Sequence, residues 1–293
     1  MRNTAPSIPL ADAVVLVTGG ARGIGAATAR AFADRGARVW LGDIDLLAAQ
    51  RAASALPNAR GIELDVTQRV SWELVVQTIL DQTGTIDVLV NNAGVMPVGS
   101  LTQESEATID MTLDVNAGGV LKGMQAVLPA MVRHGRGHIV NVSSMASILP
   151  LPGLVTYNAS KYAALGASLA ARREFLPFGV TISCVMPAGV RTELSSGTPL
   201  SGIPTYPPER IADAVVKTVE RRPKQVSVPD WFAPLWRALD LVLPASGENL
   251  LRRLINERRG LAAIDVQARA AYVQRLEQQL ANRHPQRSKD ANQ

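Results

Sequence analysis

The chain has little of what builds disulfide-bonded, metal-bound or membrane-spanning structures. Its 293 residues include one cysteine, Cys184, and three histidines. A single cysteine excludes an internal disulfide and cannot build a cysteine-based metal site, so we expect no structural zinc site. The longest uncharged run, residues 139–160, contains Asn141 and Pro150 among several polar groups. Each polar group would need a partner in lipid, so this run does not predict a membrane helix.

Charge of one sign is also scarce over most of the chain. The formal net charge is +5, yet residues 1–208 hold 15 basic and 15 acidic side chains, and the whole excess lies after them. A neutral body argues against a nucleic-acid partner. The first twelve residues have no apolar core of the kind that a secretory signal needs. We therefore expect a soluble protein of the cytoplasm.

Short apolar runs alternate with longer amphipathic patterns. The predicted strands are residues 14–19, 38–43, 61–66, 86–92, 137–144, 180–185 and 225–229. Almost continuous apolar runs are typical of strands buried on both faces, and helical patterns such as 23–35 and 67–82 lie between them. We predict an α/β fold over residues 1–229: a doubly wound (Rossmann) parallel sheet of about seven strands with helices on both faces.

The pattern changes after residue 229. An apolar, aromatic cluster at 231–243 precedes two helical stretches, at about 247–259 and 263–282. We predict a C-terminal helical extension over residues 230–293, not an independent domain. Three interpretations stay open. The extension could pack on the protein's own core, form a subunit contact, or make a peripheral contact with an anionic membrane surface.

A glycine-rich turn follows the first predicted strand directly. Residues 18–25 are Thr-Gly-Gly-Ala-Arg-Gly-Ile-Gly. Gly19, Gly23 and Gly25 permit a tight turn, close approach of a pyrophosphate to the backbone, and close packing of the next helix. Because that helix begins at the turn, its free N–H groups point toward the phosphates. The position between a strand and a helix predicts a dinucleotide site.

The second predicted strand ends at Asp43. A carboxylate there can accept hydrogen bonds from the adenosine ribose and would repel a 2′-phosphate, so NAD is favoured over NADP as the cofactor. Two alternatives stay open. Arg22 in the turn could meet a 2′-phosphate, although we interpret it as a solvated loop cation. Asp43 could instead cap the helix that follows it.

Tyr157 and Lys161 stand four residues apart at the start of a helical pattern that runs to about residue 175. This spacing puts both side chains on one helix face. A lysine ammonium beside a tyrosine should lower the pKa of the phenol, which could then exchange a proton with a substrate oxygen. Ser144, at the end of a strand, could donate a hydrogen bond to the same oxygen. A surface Tyr–Lys pair is the alternative unless other motifs agree.

Other motifs do agree. They are TGGARGIG at 18–25, Asp65 in LDV, NNAG at 91–94, Asn116, Ser144, YNASK at 157–161 and PAGVRT at 187–192. In this order and spacing they resemble the short-chain dehydrogenase/reductase family, over about residues 12–229. Ala188 and Ser147 stand where the family often has glycine, and neither difference removes a catalytic group.

The resemblance implies a role for each matching position. Asn116, Ser144, Tyr157 and Lys161 correspond to the family's catalytic tetrad. Tyr157 would be the general acid/base and Ser144 would hold the substrate oxygen. Lys161 would bind the nicotinamide ribose, and Asn116 would hold a water of the proton relay. The implied cofactor-binding positions are Gly19, Arg22, Gly23, Ile24, Gly25, Asp43, Asp65, Val66, Asn92, Ala93, Gly94, Tyr157, Lys161, Pro187, Val190 and Thr192.

The predicted substrate pocket is apolar. Its candidate lining residues are Met96, Val98, Met145, Ile148, Leu149, Leu151, Leu154 and Met186. The loop 193–207 has the Gly, Pro and Ser content of a mobile lid. None of these apolar side chains carries a charge to hold an acidic substrate, so we expect a lipophilic alcohol or ketone (steroid-like, retinoid-like or long-chain). Each lining residue could equally be an ordinary core residue.

These observations predict an oxidoreductase that transfers a hydride between NAD(H) and a secondary alcohol or ketone, working as a homodimer or homotetramer. One alternative is an NAD(H)-binding scaffold or sensor without turnover, against which the intact Ser144, Tyr157 and Lys161 argue. Another is an isomerase or dehydratase that uses the same fold.

Overall fold

The computed structural model describes residues 5–198, 205–242 and 264–283. The predicted helix at about 247–259 and part of the predicted lid loop lie outside these residues. The strands are β1 Val14–Thr18, β2 Arg38–Asp43, β3 Ala59–Glu63, β4 Val88–Asn91, β5 Gly137–Val142, β6 Val180–Pro187, β7 Gly189–Val190, β8 Thr205–Tyr206 and β9 Gln225–Val228. Seven of them form one parallel sheet in the order β3-β2-β1-β4-β5-β6-β9, and β7 pairs with β8.

Helices connect the parallel strands and follow the sheet. In the described residues they are α1 Gly23–Ala33, α2 Leu46–Ser54, α3 Arg69–Thr83, α4 Glu106–Leu113, α5 Gly119–His134, α6 Val155–Phe175, α7 Pro208–Arg221, α8 Phe232–Val242 and α9 Val266–Arg283. A π-helical turn, Asp114–Gly118, joins α4 to α5. The structure confirms the predicted doubly wound α/β fold.

Successive residues of each strand pack on opposite faces of the sheet, as the two-residue period of a strand requires. In β1, Val15 and Val17 belong to a buried cluster with Phe32 of α1 and residues of α7. Val14 and Leu16 belong to a second cluster, on the other face, which includes Trp72 of α3 and residues of α5. Both faces are therefore covered, which explains why the strands are apolar throughout.

The third strand lies earlier in the chain than the sequence pattern predicts, at residues 59–63 instead of 61–66. Asp65 causes the difference. Its Oδ1 accepts hydrogen bonds from the Thr67 amide at 2.9 Å and the Thr67 hydroxyl at 2.7 Å. A side chain that binds the backbone two residues on forms a turn. The turn ends the strand and sends the chain toward α3.

The order of the strands also fixes where a ligand can bind. β1 and β4 are neighbours at the centre of the sheet, and the chain proceeds outward from them in opposite directions. Loops after these two strands therefore diverge and leave a crevice at their carboxyl ends, the usual binding place in such sheets. No helix among the described residues is long and apolar enough to cross a membrane. The same residues contain no His/Cys/Asp/Glu cluster suited to a metal ion.

Candidate active site

A cavity of about 530 Å³ occupies this crevice and extends along the carboxyl ends of the strands. Ligand sites in proteins typically measure roughly 300–1,000 Å³. The predicted site residues that line it are Gly19, Arg22, Gly23, Ile24, Asp43, Asp65, Val66, Asn92, Ala93, Gly94, Ser144, Tyr157, Lys161, Pro187, Val190 and Thr192. Gly25 and Asn116 are the two predicted site residues that do not line it. They lie behind its wall.

The glycine-rich turn leaves backbone exposed where a side chain would block it. Gly19 and Gly23 have φ angles of +60° and +52°, which side-chain-bearing residues rarely adopt. A Cβ on Gly19 would lie 2.9 Å from the Ala93 Cα, and a Cβ on Gly23 would lie 3.3 Å from the Thr192 Cγ2. These glycines therefore form a cradle of the kind that a dinucleotide pyrophosphate requires, with α1 beginning at its edge.

Gly25 supports the turn from behind, and replacing it provides a direct test. A Cβ on Gly25 would lie 2.0 Å from the Gly19 carbonyl oxygen, a backbone atom that cannot rotate away. We expect Gly25→Ala to lower the free energy of unfolding by about 2–3 kcal/mol and to weaken dinucleotide binding. Chemical denaturation without ligand measures the first effect.

Gly166→Ala is the matched control for this substitution. Gly166 lies inside α6, and nothing lies within 4 Å of its hypothetical Cβ. Alanine favours helix over glycine by about 0.8–1 kcal/mol, so this variant should be as stable as the wild type or slightly more stable. Equal stability of the Gly25→Ala variant and the wild type would contradict the predicted steric role.

Asp43 ends β2 and lines the cavity. Its Oδ2 accepts a hydrogen bond from the Ala21 amide at 3.1 Å, and its Oδ1 accepts one from the Asp45 amide at 3.2 Å. The helix cap is a different residue: Asp45 Oδ1 accepts from the Ala48 amide at 2.9 Å and so caps α2. The alternative that Asp43 caps this helix is therefore wrong.

Arg22, interpreted from the sequence as a solvated loop cation, is partly exposed and forms an ion pair with Asp45. Its Nη2 lies 2.8 Å from Asp45 Oδ2, and both side chains are about two-fifths exposed. Among the described residues, the hydrogen bonds that the Asp43 side chain accepts come from backbone amides, and Asp43 lines the cavity.

Asn92 joins the end of β4 to the glycine-rich turn. Its side-chain amide donates to the carbonyl oxygens of Thr18 at 2.9 Å and Gly19 at 3.2 Å. The Thr18 hydroxyl in turn accepts from the backbone amides of Asn92 and Ala93, each at 3.0 Å. These four bonds hold the two central loops together across the crevice.

Ser144, Tyr157 and Lys161 meet at one wall of the cavity. Tyr157 and Lys161 lie on the first turns of α6, both buried, and the Lys161 Nζ is 5.6 Å from the centre of the Tyr157 ring. Ser144 follows β5, and its Oγ accepts from the Ala146 amide at 3.1 Å. The neighbouring Ser143 hydroxyl donates to the Lys161 carbonyl at 2.9 Å, so it already has a structural partner.

The pKa of Tyr157 is raised, contrary to the lowering expected from the neighbouring Lys161. Burial raises the pKa of Tyr157 to about 12, and a hydrogen bond with Ser144 opposes that shift. Lys161 is not among the groups that shift this pKa. Its Nζ donates to the Val142 carbonyl at 3.2 Å, and burial lowers its own pKa to about 8. Desolvation has the largest effect on the pKa of each group.

Asn116 lies in the π-helical turn and is fully buried. Its Oδ1 accepts from the Val95 amide at 2.8 Å, and its Nδ2 donates to the Val95 carbonyl at 2.8 Å and the Ser160 hydroxyl at 3.0 Å. A Cβ on Gly94 would lie 3.1 Å from this Oδ1 and 3.5 Å from the Lys161 Nζ. Asn116 therefore holds the wall beside Lys161, and its role in a proton relay stays a prediction.

The remaining wall of the cavity is apolar. Of the predicted lining residues, those that line it are Met96, Val98, Met145, Leu149, Leu151 and Leu154. Ile148 and Met186 do not. Met186 is 1% exposed and packs in a small core cluster with Cys184 and Leu165, and Ile148 packs against that cluster. In the sequence, Ile148 and Met186 stand next to residues that line the cavity, so the sequence alone does not show that these two belong to the core.

Comparison with known proteins identifies the family. A family model described as short chain dehydrogenase matches residues 13–199, most of the chain. The chain belongs to the short-chain dehydrogenase family. Membership makes it an oxidoreductase that uses a nicotinamide cofactor and acts on a small molecule. The glycine-rich turn and the cavity wall with Ser144, Tyr157 and Lys161 fit such a cofactor.

Individual short-chain dehydrogenases are similar over about two thirds of the chain. The 2,5-dichloro-2,5-cyclohexadiene-1,4-diol dehydrogenase LinX of Sphingobium indicum is 34% identical over 65% of this chain and 78% of its own length. The 3-alpha-(or 20-beta)-hydroxysteroid dehydrogenase of Mycobacterium tuberculosis is 37% identical over 64% of this chain and 72% of its own length. The crystal structure of gox2181 superposes with a TM-score of 0.69 at 26% identity, covering 74% of this chain and 93% of that chain.

The short-chain dehydrogenase model ends before α8 and α9, yet both helices contribute to the cavity. The lining residues that they add are Phe232, Leu235, Trp236, Leu239, Tyr272, Arg275 and Gln279. The Tyr272 hydroxyl accepts from the Met96 amide at 2.7 Å. Arg269, 4% exposed, donates to the carbonyls of Leu194 at 3.1 Å and Ser196 at 2.9 Å. In the described residues the extension thus packs on the chain's own active-site wall.

Sequence reasoning did not assign these residues to the site. The available signal was their helical spacing, since Tyr272, Arg275 and Gln279 follow one another at three and four residues and so share a face of α9. That signal shows which side chains lie together, and it does not show what the face covers. The predicted membrane and subunit contacts of the extension stay predictions.

Proposed function

We propose that this short-chain dehydrogenase transfers a hydride between NAD(H) and a lipophilic secondary alcohol or ketone, with Tyr157 as the general acid/base. One observation carries the proposal: the Tyr157 and Ser144 side chains line an apolar cavity that is continuous with the crevice containing Asp43. A site of this shape can place a carbonyl oxygen against two hydroxyl groups while the cofactor occupies the crevice.

The charges around Asp43 support NAD over NADP. Asp43 ends β2, and its side chain accepts hydrogen bonds from two backbone amides, those of Ala21 and Asp45. The nearest basic side chain in the turn, Arg22, is engaged by Asp45. A ribose diol could donate to Asp43, whereas a 2′-phosphate would meet like charge.

The raised pKa of Tyr157 supports proton donation to a ketone. At neutral pH a phenol of pKa about 12 is protonated, so its hydroxyl can give a proton to the substrate oxygen as that oxygen gains charge. Ser144 can donate a second hydrogen bond to the same oxygen. Lys161 can hold a ribose hydroxyl and stabilise the phenolate that remains. The bound cofactor supplies the hydride in reduction and accepts it in oxidation.

The apolar wall supports a lipophilic substrate. Met96, Leu149, Leu151 and Leu154 surround the tetrad side of the cavity, and Phe232, Leu235, Trp236 and Leu239 close it from α8. Burial of apolar surface contributes about 25 cal/mol per Å², so a ring system would gain more from this wall than a short polyol. The named substrates of the two curated relatives, a chlorinated cyclohexadiene diol and a hydroxysteroid, are cyclic alcohols.

A substrate panel tests the proposed function. The wild-type chain, with NAD as the oxidant, should oxidise lipophilic cyclic secondary alcohols with kcat/KM about tenfold or more above that for short polyols, because only the former bury the apolar wall. Absorbance of the NADH formed measures the rate. A tenfold preference for short polyols would reject the lipophilic substrate, and the parallel assay with NADP reports the cofactor preference independently.

A further inference from the structure

The face of α9 that covers the cavity carries a cation close to the glycine-rich turn. Arg275 lines the same cavity as Gly19 and Gly23. Its Nη1 donates to Glu193 Oε2 at 2.9 Å, and its Nη2 also contacts the Glu193 carboxylate. Both side chains keep about a third of their surface exposed, so the pair lies at the boundary of the cavity and can rearrange when a ligand enters.

The position of Glu193 places this pair near the phosphate cradle. Glu193 directly follows Thr192, whose Cγ2 is 3.3 Å from the site of a Cβ on Gly23. Arg275 is also close enough to Arg22, Asp43 and Asp45 for their charges to act on its pKa, although burial has the largest effect and lowers it. Arg275 therefore lies near the turn and near the Asp43 end of the cavity.

We propose that Arg275 is a ligand of the dinucleotide pyrophosphate, so that α9 completes the cofactor site from outside the segment that the family model covers. Guanidinium groups bind phosphate oxygens bidentately, as Arg275 now binds the Glu193 carboxylate. The pyrophosphate would compete with Glu193 for Arg275. The same helix holds Met96 and residues 194–198 at the substrate end, through Tyr272 and Arg269. A contact between Arg275 and the cofactor would thereby stabilise α9 against the wall of the substrate pocket.

Dinucleotide binding without substrate tests this inference, which rests on the nicotinamide cofactor of the proposed function. Titration of the full chain with NADH, followed by nucleotide fluorescence, should give a Kd that Arg275→Gln raises tenfold or more. Glu193→Gln breaks the same ion pair but leaves the cation free, so it should bind NADH as tightly as the wild type or more tightly. Arg275→Lys keeps a cation without the bidentate fork and should fall between the wild type and Arg275→Gln.

Cofactor fragments locate the effect. Calorimetric titration with ADP-ribose, which contains the pyrophosphate, should show the same loss in Arg275→Gln as NADH does, while adenosine, which has no phosphate, should bind both forms equally. Equal weakening by Glu193→Gln and Arg275→Gln would overturn the inference, because the ion pair would then act only as a clamp on α9. Wild-type-like NADH binding by Arg275→Gln would also overturn it. A wild-type chain that binds neither NADH nor NADPH would instead refute the proposed function itself.

Discussion

Tyr157→Phe should lower kcat for both ketone reduction and alcohol oxidation by at least about 100-fold. General acid–base catalysis by a positioned side chain contributes about 10²–10⁴-fold, and Tyr157 lines the cavity together with Ser144 and Lys161. The substitution removes one oxygen atom. The ring packs with Met96, Ala146 and Leu154, so its apolar contacts remain. Steady-state kinetics with a lipophilic secondary alcohol measures the loss.

Two controls separate lost proton transfer from lost structure. The NADH Kd of Tyr157→Phe should stay within about threefold of the wild-type value, since the aromatic ring still packs in place. Tyr162→Phe removes the same atom from an exposed tyrosine on the same helix, and its kcat should match that of the wild type. A Tyr157→Phe variant that keeps more than a tenth of the wild-type kcat would contradict the assigned role.

Asp43→Ser should shift the preference for NADH over NADPH, measured as the ratio of their kcat/KM values, by about 100-fold or more toward NADPH. Hydrogen bonds to a charged group contribute about 1.5–3 kcal/mol each, and about 1.4 kcal/mol corresponds to tenfold in binding. The substitution removes the acceptor for the ribose diol and also the charge that repels a 2′-phosphate. Because the Ala21 amide loses a partner as well, both cofactors should bind somewhat more weakly.

Glu63→Gln is the matched control for the cofactor ratio. Glu63 is the residue on β3 that pairs in register with Asp43 on β2, and it is exposed outside the cavity. The Glu63→Gln substitution removes one negative charge beside the end of β2 without altering the crevice. The ratio should therefore stay within about twofold of the wild-type value. An Asp43→Ser variant with an unchanged ratio, or a wild-type chain that prefers NADPH, would contradict the assignment of NAD.

The sheet and the cofactor crevice could be predicted from sequence because local patterns encode them. Apolar runs with a strand's length, a glycine turn between strand and helix, and the Tyr157–Lys161 spacing each depend on neighbours within a few residues. The topology of parallel strands then brings their carboxyl ends together. Sixteen predicted site residues accordingly line one cavity, and Gly25 and Asn116 support it from behind.

Long-range contacts and burial explain what could not be predicted. The pKa of Tyr157 depends on how deeply the fold buries it, and no local spacing contains that information. Tyr272 contacts Met96, which lies more than 170 residues earlier in the chain, and Arg275 contacts Glu193, which lies more than 80 residues earlier. Only the folded chain brings α9 to these contacts. Ile148 and Met186 have the composition of pocket residues, and only packing assigns them to the core.

A crystal structure of the full chain with NAD(H) and a bound lipophilic ketone tests the central claim most directly. The account predicts that the ketone oxygen lies within about 3.2 Å of both the Tyr157 hydroxyl and the Ser144 hydroxyl, with its carbonyl carbon facing the nicotinamide ring. A ketone oxygen bonded elsewhere in the cavity, or a Tyr157 hydroxyl turned away from the ligand and the cofactor, would contradict it.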